Sequence, residues 1–201
     1  MIITWYGNAC FGIETRERGG EAKSMVFFPQ DKTTRSHAME ERAAIIVAPP
    51  GTKLENGPFH IDGPGEYELS GFSIYAVPIA SLGKFPAAVK VYTENLRVLW
   101  FSSLPSHPLS DKELEQLGEV DILLLPLDQE KGEKYTALSA EQAVKEMNEI
   151  ESHIAIPFAR EEKTLKAFLE EAGVKHIEPF DKFSIKTKDL PEELQIVTLR
   201  V

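Results

Sequence analysis

The sequence predicts a layered α/β sandwich, and three observations point there. Short β-rich segments crowd the first half of the chain. Helical signatures enter only later, and one strand between the helices is apolar on both faces. Residues 2–6, 10–15, 25–28 and 44–48 are rich in β-formers and separated by turn residues such as Arg18-Gly19-Gly20. A second series covers residues 67–69, 72–77, 88–93 and 96–101. Its last two members are joined by Thr93-Glu94-Asn95, which has the form of a tight hairpin. Residues 121–127 are apolar almost throughout, as expected of a strand covered on both sides.

Three helices follow from capping and periodicity. Ser110-Asp111-Lys112-Glu113 is a capping box, and Gly118 is placed to end that helix. Ser139-Ala140-Glu141-Gln142 repeats the device ahead of an apolar stripe of Ala143, Val144, Met147 and Ile150. Leu165, Phe168, Leu169 and Ala172 form a third stripe, closed by Gly173. Such stripes are core faces and call for no cofactor. Strands return at 153–156, 183–187 and 194–199. No internal repeat, low-complexity tract or linker interrupts the pattern, so residues 1–201 are expected to form a single domain.

Composition narrows the function classes. A net charge of −10 argues against charge-driven binding to nucleic acid or anionic membranes. The single cysteine, Cys10, rules out an internal disulfide framework and fits a reducing compartment. No basic residue lies beside it in the sequence to lower its pKa, so it reads as a buried structural thiol. Residues 1–6 lack the basic region and apolar core of a secretory signal, and the longest apolar runs are too short to span a bilayer. A cytoplasmic protein is expected.

Several segments, in order, resemble one family. Residues Met1-Ile2-Ile3-Thr4-Trp5-Tyr6-Gly7-Asn8-Ala9-Cys10-Phe11 resemble the opening of the metallo-β-lactamase superfamily. More narrowly, they are similar to small metal-dependent hydrolases related to ascorbate-phosphate lactonases, which begin with an aromatic residue and Gly-His-Ser-Cys-Phe. Ile61-Asp62-Gly63-Pro64-Gly65-Glu66-Tyr67-Glu68 resembles a Gly-Pro-Gly-Glu-Tyr turn of the same subgroup. So do Leu109-Ser110-Asp111, Gly118-Glu119-Val120-Asp121-Ile122-Leu123, Tyr135-Thr136 and Ile154-Ala155-Ile156-Pro157. The resemblance implies a four-layer αββα sandwich with a dinuclear metal site at one edge of the sheets. Such a site needs three or four His or carboxylate ligands per metal.

The ligands are what this sequence lacks. The H-x-H-x-D-H motif expected after residues 44–48 falls on or within one residue of Pro50, Thr52, Leu54 and Glu55, of which only Glu55 could hold a metal. The next His falls near Ala80 and Ser81, the bridging Asp near Leu104, and the last His at Ala159. Asn8 stands where His is usual, and Phe28 where Asp is usual before Pro29. The expected vestigial pocket is therefore Asn8, Pro50, Thr52, Leu54, Glu55, Ala80, Ser81, Leu104 and Ala159, with no metal and no cofactor.

Replacement chemistry is thinly supported. The five histidines form no H-x-H or H-x-x-x-H pair. His60 and Asp62 make an H-x-D pair without a visible third ligand, so a polar strand pair is the simpler reading. His107 and Glu55 are the catalytic candidates, although a solvated loop is the plainer place for His107. Ser102, Ser103 and Ser106 lie near His107, but no G-x-S-x-G elbow occurs. The leading expectation is a pseudoenzyme acting as a non-catalytic binding or assembly protein. One alternative is an active hydrolase of phosphoesters or lactones with an unconventional metal or nucleophile site. Another is a small-molecule binding module that reuses the former cleft. The partner is then an unknown protein or small molecule, and a homo-oligomer is compatible with the sequence.

Overall fold

The computed structural model describes residues 1–15, 21–28, 42–53, 58–79, 82–131, 134–175 and 177–201. The chain begins with β1 (Ile2–Trp5), β2 (Phe11–Thr15), β3 (Lys23–Phe27), β4 (Ile45–Val47) and β5 (Phe59–Ile61). It continues with β6 (Gly65–Leu69), β7 (Phe72–Pro78), β8 (Ala87–Thr93) and β9 (Leu96–Trp100). Next come α1 (Asp111–Leu117), β10 (Ile122–Pro126), β11 (Asp128–Lys131), β12 (Lys134–Ala137) and α2 (Ala140–Ile150). β13 (Ile154–Phe158), α3 (Glu162–Glu171), β14 (Phe183–Ser184) and β15 (Gln195–Ile196) complete it.

Two mixed sheets face each other. The first has the order β14-β1-β2-β3-β4-β5, the second β15-β13-β10-β9-β8-β7-β6, and β11 with β12 makes a separate ribbon. Alternation along the strands explains the packing. Ile3, Phe11, Ile13, Met25, Phe27, Ile45 and Val47 turn inward from the first sheet. They meet Phe72, Ile74, Val89, Val91, Val98, Trp100, Ile122 and Leu124 of the second. The intervening residues Leu99, Phe101, Leu123, Leu125 and Ala155 face outward and pack under Leu117 of α1, Met147 of α2 and Phe168 of α3. β10 is buried at all five positions because it lies between both layers, as its apolar run predicts. On the outer face of the first sheet, Tyr6, Cys10, Val26, Ala43, Ile46 and Ala48 form a small apolar cluster. Among the described residues no helix covers that face.

The local signals work as their chemistry requires. Thr93 pairs with Leu96, and Glu94 and Asn95 both take positive φ (50° and 58°), which a two-residue hairpin of this hand needs. The Glu113 N–H donates to the Ser110 hydroxyl at 3.3 Å, and the Ser110 N–H donates to the Glu113 carboxylate at 2.8 Å, so the capping box closes both ways. At α2 the Gln142 N–H donates to Ser139 Oγ at 3.2 Å, while the glutamine side chain takes the serine hydroxyl instead of returning to the backbone. Gly118 and Gly173 both take left-handed φ at the ends of α1 and α3.

Some expected strands differ. The segments expected at 183–187 and 194–199 pair over only two residues each as β14 and β15. A 3₁₀ turn at Thr187–Asp189 draws the chain off the first sheet. Beyond Ile196 a single bridge joins Phe180 and Leu199.

Candidate functional site

The parallel registers set where a site can form. β1, β3 and β4 point the same way in the first sheet, and β7, β9, β10 and β13 do so in the second. The Trp100 indole N–H, at the end of β9, donates to the Ala9 carbonyl just past β1 at 3.1 Å. The carboxyl ends of both sets therefore share one edge, where α/β folds place ligands.

Each loop at that edge has a local cause. Gly7 (φ 100°) and Asn8 (φ 48°) make a tight turn, closed by the Cys10 N–H donating to Gly7 O at 2.9 Å. Asn is among the few residues that accept this backbone readily. After β3, Phe28 also has left-handed φ (46°), which for a bulky side chain is strained by about 1–2 kcal/mol. Its N–H donates to Val47 O at 2.7 Å, and its ring packs 5.4 Å from Trp100 and 6.1 Å from Phe85. The position where the resemblance implies an acid is thus held by an aromatic cluster.

After β4, Pro50 is exposed and Thr52 is half-buried, its hydroxyl donating to Pro49 O at 2.7 Å. The His60 ring lies 3.1 Å from Ala48 O and braces this turn, while Asp62 lies beyond β5, exposed. Leu54, Glu55, Ala80 and Ser81 lie outside the described residues.

The described cleft is lined by Asn8, Ala9, Ser102, Pro126, Asp128, Phe158 and Arg160, and its volume is about 10 Å³. That is room for one water. Of the expected pocket residues, Asn8 lines it. Leu104 and Ala159 instead sit at 2% and 9% exposure in the core beneath the helices, so the lining there comes from their neighbours. Asp128 is buried, its Oδ2 accepting the Arg160 N–H at 2.9 Å and its carbonyl accepting the Leu104 N–H at 2.9 Å. Burial pushes the Asp128 carboxyl above the ordinary carboxylate range, and the Arg160 N–H and the positive charge of Arg160 oppose this in part. Ser102 Oγ and Ser103 Oγ are buried and unpartnered among the described residues. His107 is exposed, its ring 3.1 Å from Pro108 O, and it does not line the cleft.

Sequence reasoning missed Asp128. The signal was an acidic residue directly after an apolar strand end, Pro126-Leu127-Asp128, where α/β folds place functional groups.

Among the described residues the donor set does not fit a dinuclear centre. The cleft offers one carboxyl, one carboxamide and one hydroxyl, against three or four His or carboxylate ligands for each metal. Among the described residues no group of three or more His, Cys, Asp and Glu side chains converges anywhere. Nor is any helix among them long and apolar enough to cross a membrane.

Comparison with known proteins agrees with this frame. A family model, the β-lactamase superfamily domain, matches residues 2–159. A proposed zinc-dependent hydrolase of the metallo-β-lactamase superfamily from Thermotoga maritima has the same fold, with a TM-score of 0.70, 20% identity and full coverage of both chains. The metallo-β-lactamase fold protein YhfI from Bacillus subtilis gives a TM-score of 0.61 at 8% identity, over 99% of this chain and 96% of its own. The metallo hydrolase Igni18 from Ignicoccus hospitalis gives 0.52 at 13% identity, over 92% and 99%. No curated protein matches in sequence. The two facing sheets, the shared strand-end edge and the family match together show that this chain belongs to the metallo-β-lactamase superfamily.

Proposed function

We propose that this protein has given up the metal site and hydrolase activity of its family, and that it serves as a non-catalytic binding or assembly protein. The observation that carries this reading is Phe28. The chain takes a strained left-handed backbone at the strand-end edge and places there an aromatic ring tilted against Trp100 and edge-on to Phe85. The described cleft also supports the reading, since Ala9, Pro126 and Phe158 line a space the volume of a water beside one buried carboxyl. Clustered ligands without metal repel and lose hydration, so replacing them together leaves a stable metal-free fold. Elemental analysis of purified protein is expected to find no stoichiometric zinc, manganese or iron. Phosphodiester and lactone substrates are expected to stay intact when those metals are added. Near-stoichiometric metal, or turnover dependent on added metal, would overturn the proposal.

One observation favours a hydrolase of unfamiliar design: Asp128, with its raised carboxyl, shares the cleft with the unpartnered hydroxyl of Ser102. Turnover abolished by Asp128→Asn or Ser102→Ala would establish that reading. Turnover abolished by His107→Ala would place the chemistry in the loop before α1.

A further inference from the structure

A second concavity shares no lining residue with the edge cleft. It holds about 510 Å³, within the range of small-molecule sites, and its walls include Pro64, Glu66, Tyr75, Pro78, Lys90 and Gln116. The strand registers place it on the outer face of the second sheet. Glu66 pairs with Tyr75 and Tyr75 with Lys90, and these three alternate with Ile74, Ala76, Val89 and Val91, which face the inter-sheet core. The helix layer stops at this row. α1 ends at Leu117, and beyond it Tyr75 stands 41% exposed on a bare sheet face.

Lys90 is held at the wall by the end of α1. Its ammonium donates to the Leu117 carbonyl and lies 5.9 Å from the centre of the Tyr75 ring. Gly118 lies alongside, its Cβ position 3.4 Å from Lys90 Nζ, an ordinary contact distance. A helix C-terminus favours such a cation, but one backbone carbonyl satisfies only one of its three donors. Burial pushes the Lys90 amine down, and the Arg97 charge adds to this, so an anion in the concavity would relieve both effects. On the other side, Pro64 and Glu66 come from the Gly63-Pro64-Gly65-Glu66-Tyr67 turn. That turn is locked by the Tyr67 hydroxyl donating to Gly63 O at 3.1 Å. The wall is therefore preformed.

We propose that this shelf binds a small organic anion with a flat apolar body, its anionic head on Lys90 and its body against Tyr75 between Pro64 and Pro78. Charge complementarity selects the occupant. Lys90 is the one cation among the lining residues, and it is half-buried, whereas the anionic Glu66 is exposed at the far side. Strand spacing puts Glu66 and Lys90 about 10 Å apart, so a compact head at Lys90 avoids the carboxylate. A polyanion such as nucleic acid is opposed by the net charge of −10. The site does not depend on the fate of the metal centre.

Backbone-amide NMR of the full chain tests the proposal with phenyl phosphate, benzylamine and benzyl alcohol as probes. Phenyl phosphate at millimolar concentration is expected to shift the amides around Tyr75, Lys90 and Gln116 in a saturable way, with benzyl alcohol weaker and benzylamine weakest. Lys90→Met keeps the apolar stem and should weaken phenyl phosphate about tenfold, the value of one charged hydrogen bond. Tyr75→Ala, at an exposed position, should weaken it without unsettling the fold and so guards against a Lys90→Met variant that folds poorly. Absence of saturable shifts, equal response to benzylamine, shifts centred on Asn8 and Ser102 instead, or full affinity in both variants would each overturn it.

Discussion

Replacing Asp121 by Asn should destabilise the protein by about 2–3 kcal/mol without touching the cleft. Asp121 is 1% exposed at the opposite end of β10 from the cleft, in the Gly118–Leu123 segment that carries part of the family likeness. One of its oxygens takes the Arg97 backbone N–H at 2.6 Å and Nε at 3.0 Å, and the other takes Nη2 at 2.8 Å. An asparagine keeps one acceptor but turns an NH₂ toward Nη2, so one charged hydrogen bond is lost outright and two lose their charge assistance. Breaking a fully buried ion pair costs about 3–5 kcal/mol. Here the cost is smaller because the Arg97 side chain is 33% exposed, keeps its bond to Glu119, and can turn to water. For a chain of this length the melting temperature should fall by roughly 5–10 °C. Thermal unfolding followed by circular dichroism at low and high salt reads this out, and the loss should persist in salt because the pair is shielded. The exposed Arg200–Asp181 pair is the control, and Asp181→Asn should leave the melting temperature unchanged. An Asp121→Asn loss within the error of that control would refute the assignment of Asp121 as a structural anchor.

Three further outcomes follow from the cleft and from α1. Asp128→Asn should stabilise the protein at neutral pH. A carboxyl whose folded pKa is raised loses its proton first in the unfolded chain, so stability falls as pH climbs from the unfolded pKa through the folded one. The variant's advantage should therefore vanish below about pH 4, where both states are protonated, and an advantage that grows toward acid would contradict it. Ser102→Ala should be neutral or stabilising by up to about 1 kcal/mol in denaturant unfolding, because the buried hydroxyl has no protein partner; a loss above that would reveal a bound water holding it. Gly118→Ala should cost about 1 kcal/mol, since φ of 58° disfavours a side chain; an unchanged denaturation midpoint would count against that backbone geometry.

The fold was legible wherever local chemistry and burial coincide. β10 announced itself as a run apolar on both faces, and the Thr93–Leu96 hairpin and the Ser110 cap follow from residue types that suit few other conformations. β5 was harder to see, because it is three residues long and one of them, Phe59, is 46% exposed. The β11–β12 ribbon shows no apolar period at all, with Asp128-Gln129-Glu130-Lys131 as its first strand. The cleft lining was less legible than the strands. Past a strand end, the path of the loop decides which side chain turns in, and the alternation that orders a strand no longer applies. Leu104 and Ala159 went to the core under the helices, while Ser102, Asp128 and Arg160 took the cleft.

The family frame has a physical reason to persist that is independent of any metal, since several of its motifs carry a structural bond of their own. The Gly7–Cys10 turn is closed through its backbone and tied to the second sheet by Trp100. Gly65 leaves room for the Tyr67 ring, whose hydroxyl would lie 2.9 Å from any Cβ added there. Ser110 caps α1, and Asp121 holds Arg97 across the start of β9 and β10. Selection for stability alone preserves such residues, because losing any of them strains a turn or orphans a buried polar group. Metal ligands have no such second role: without metal they are a stability cost. A likeness built from turns, caps and anchors therefore reports the fold, and chemistry has to be read at the strand ends, where Phe28 and Asp128 now stand.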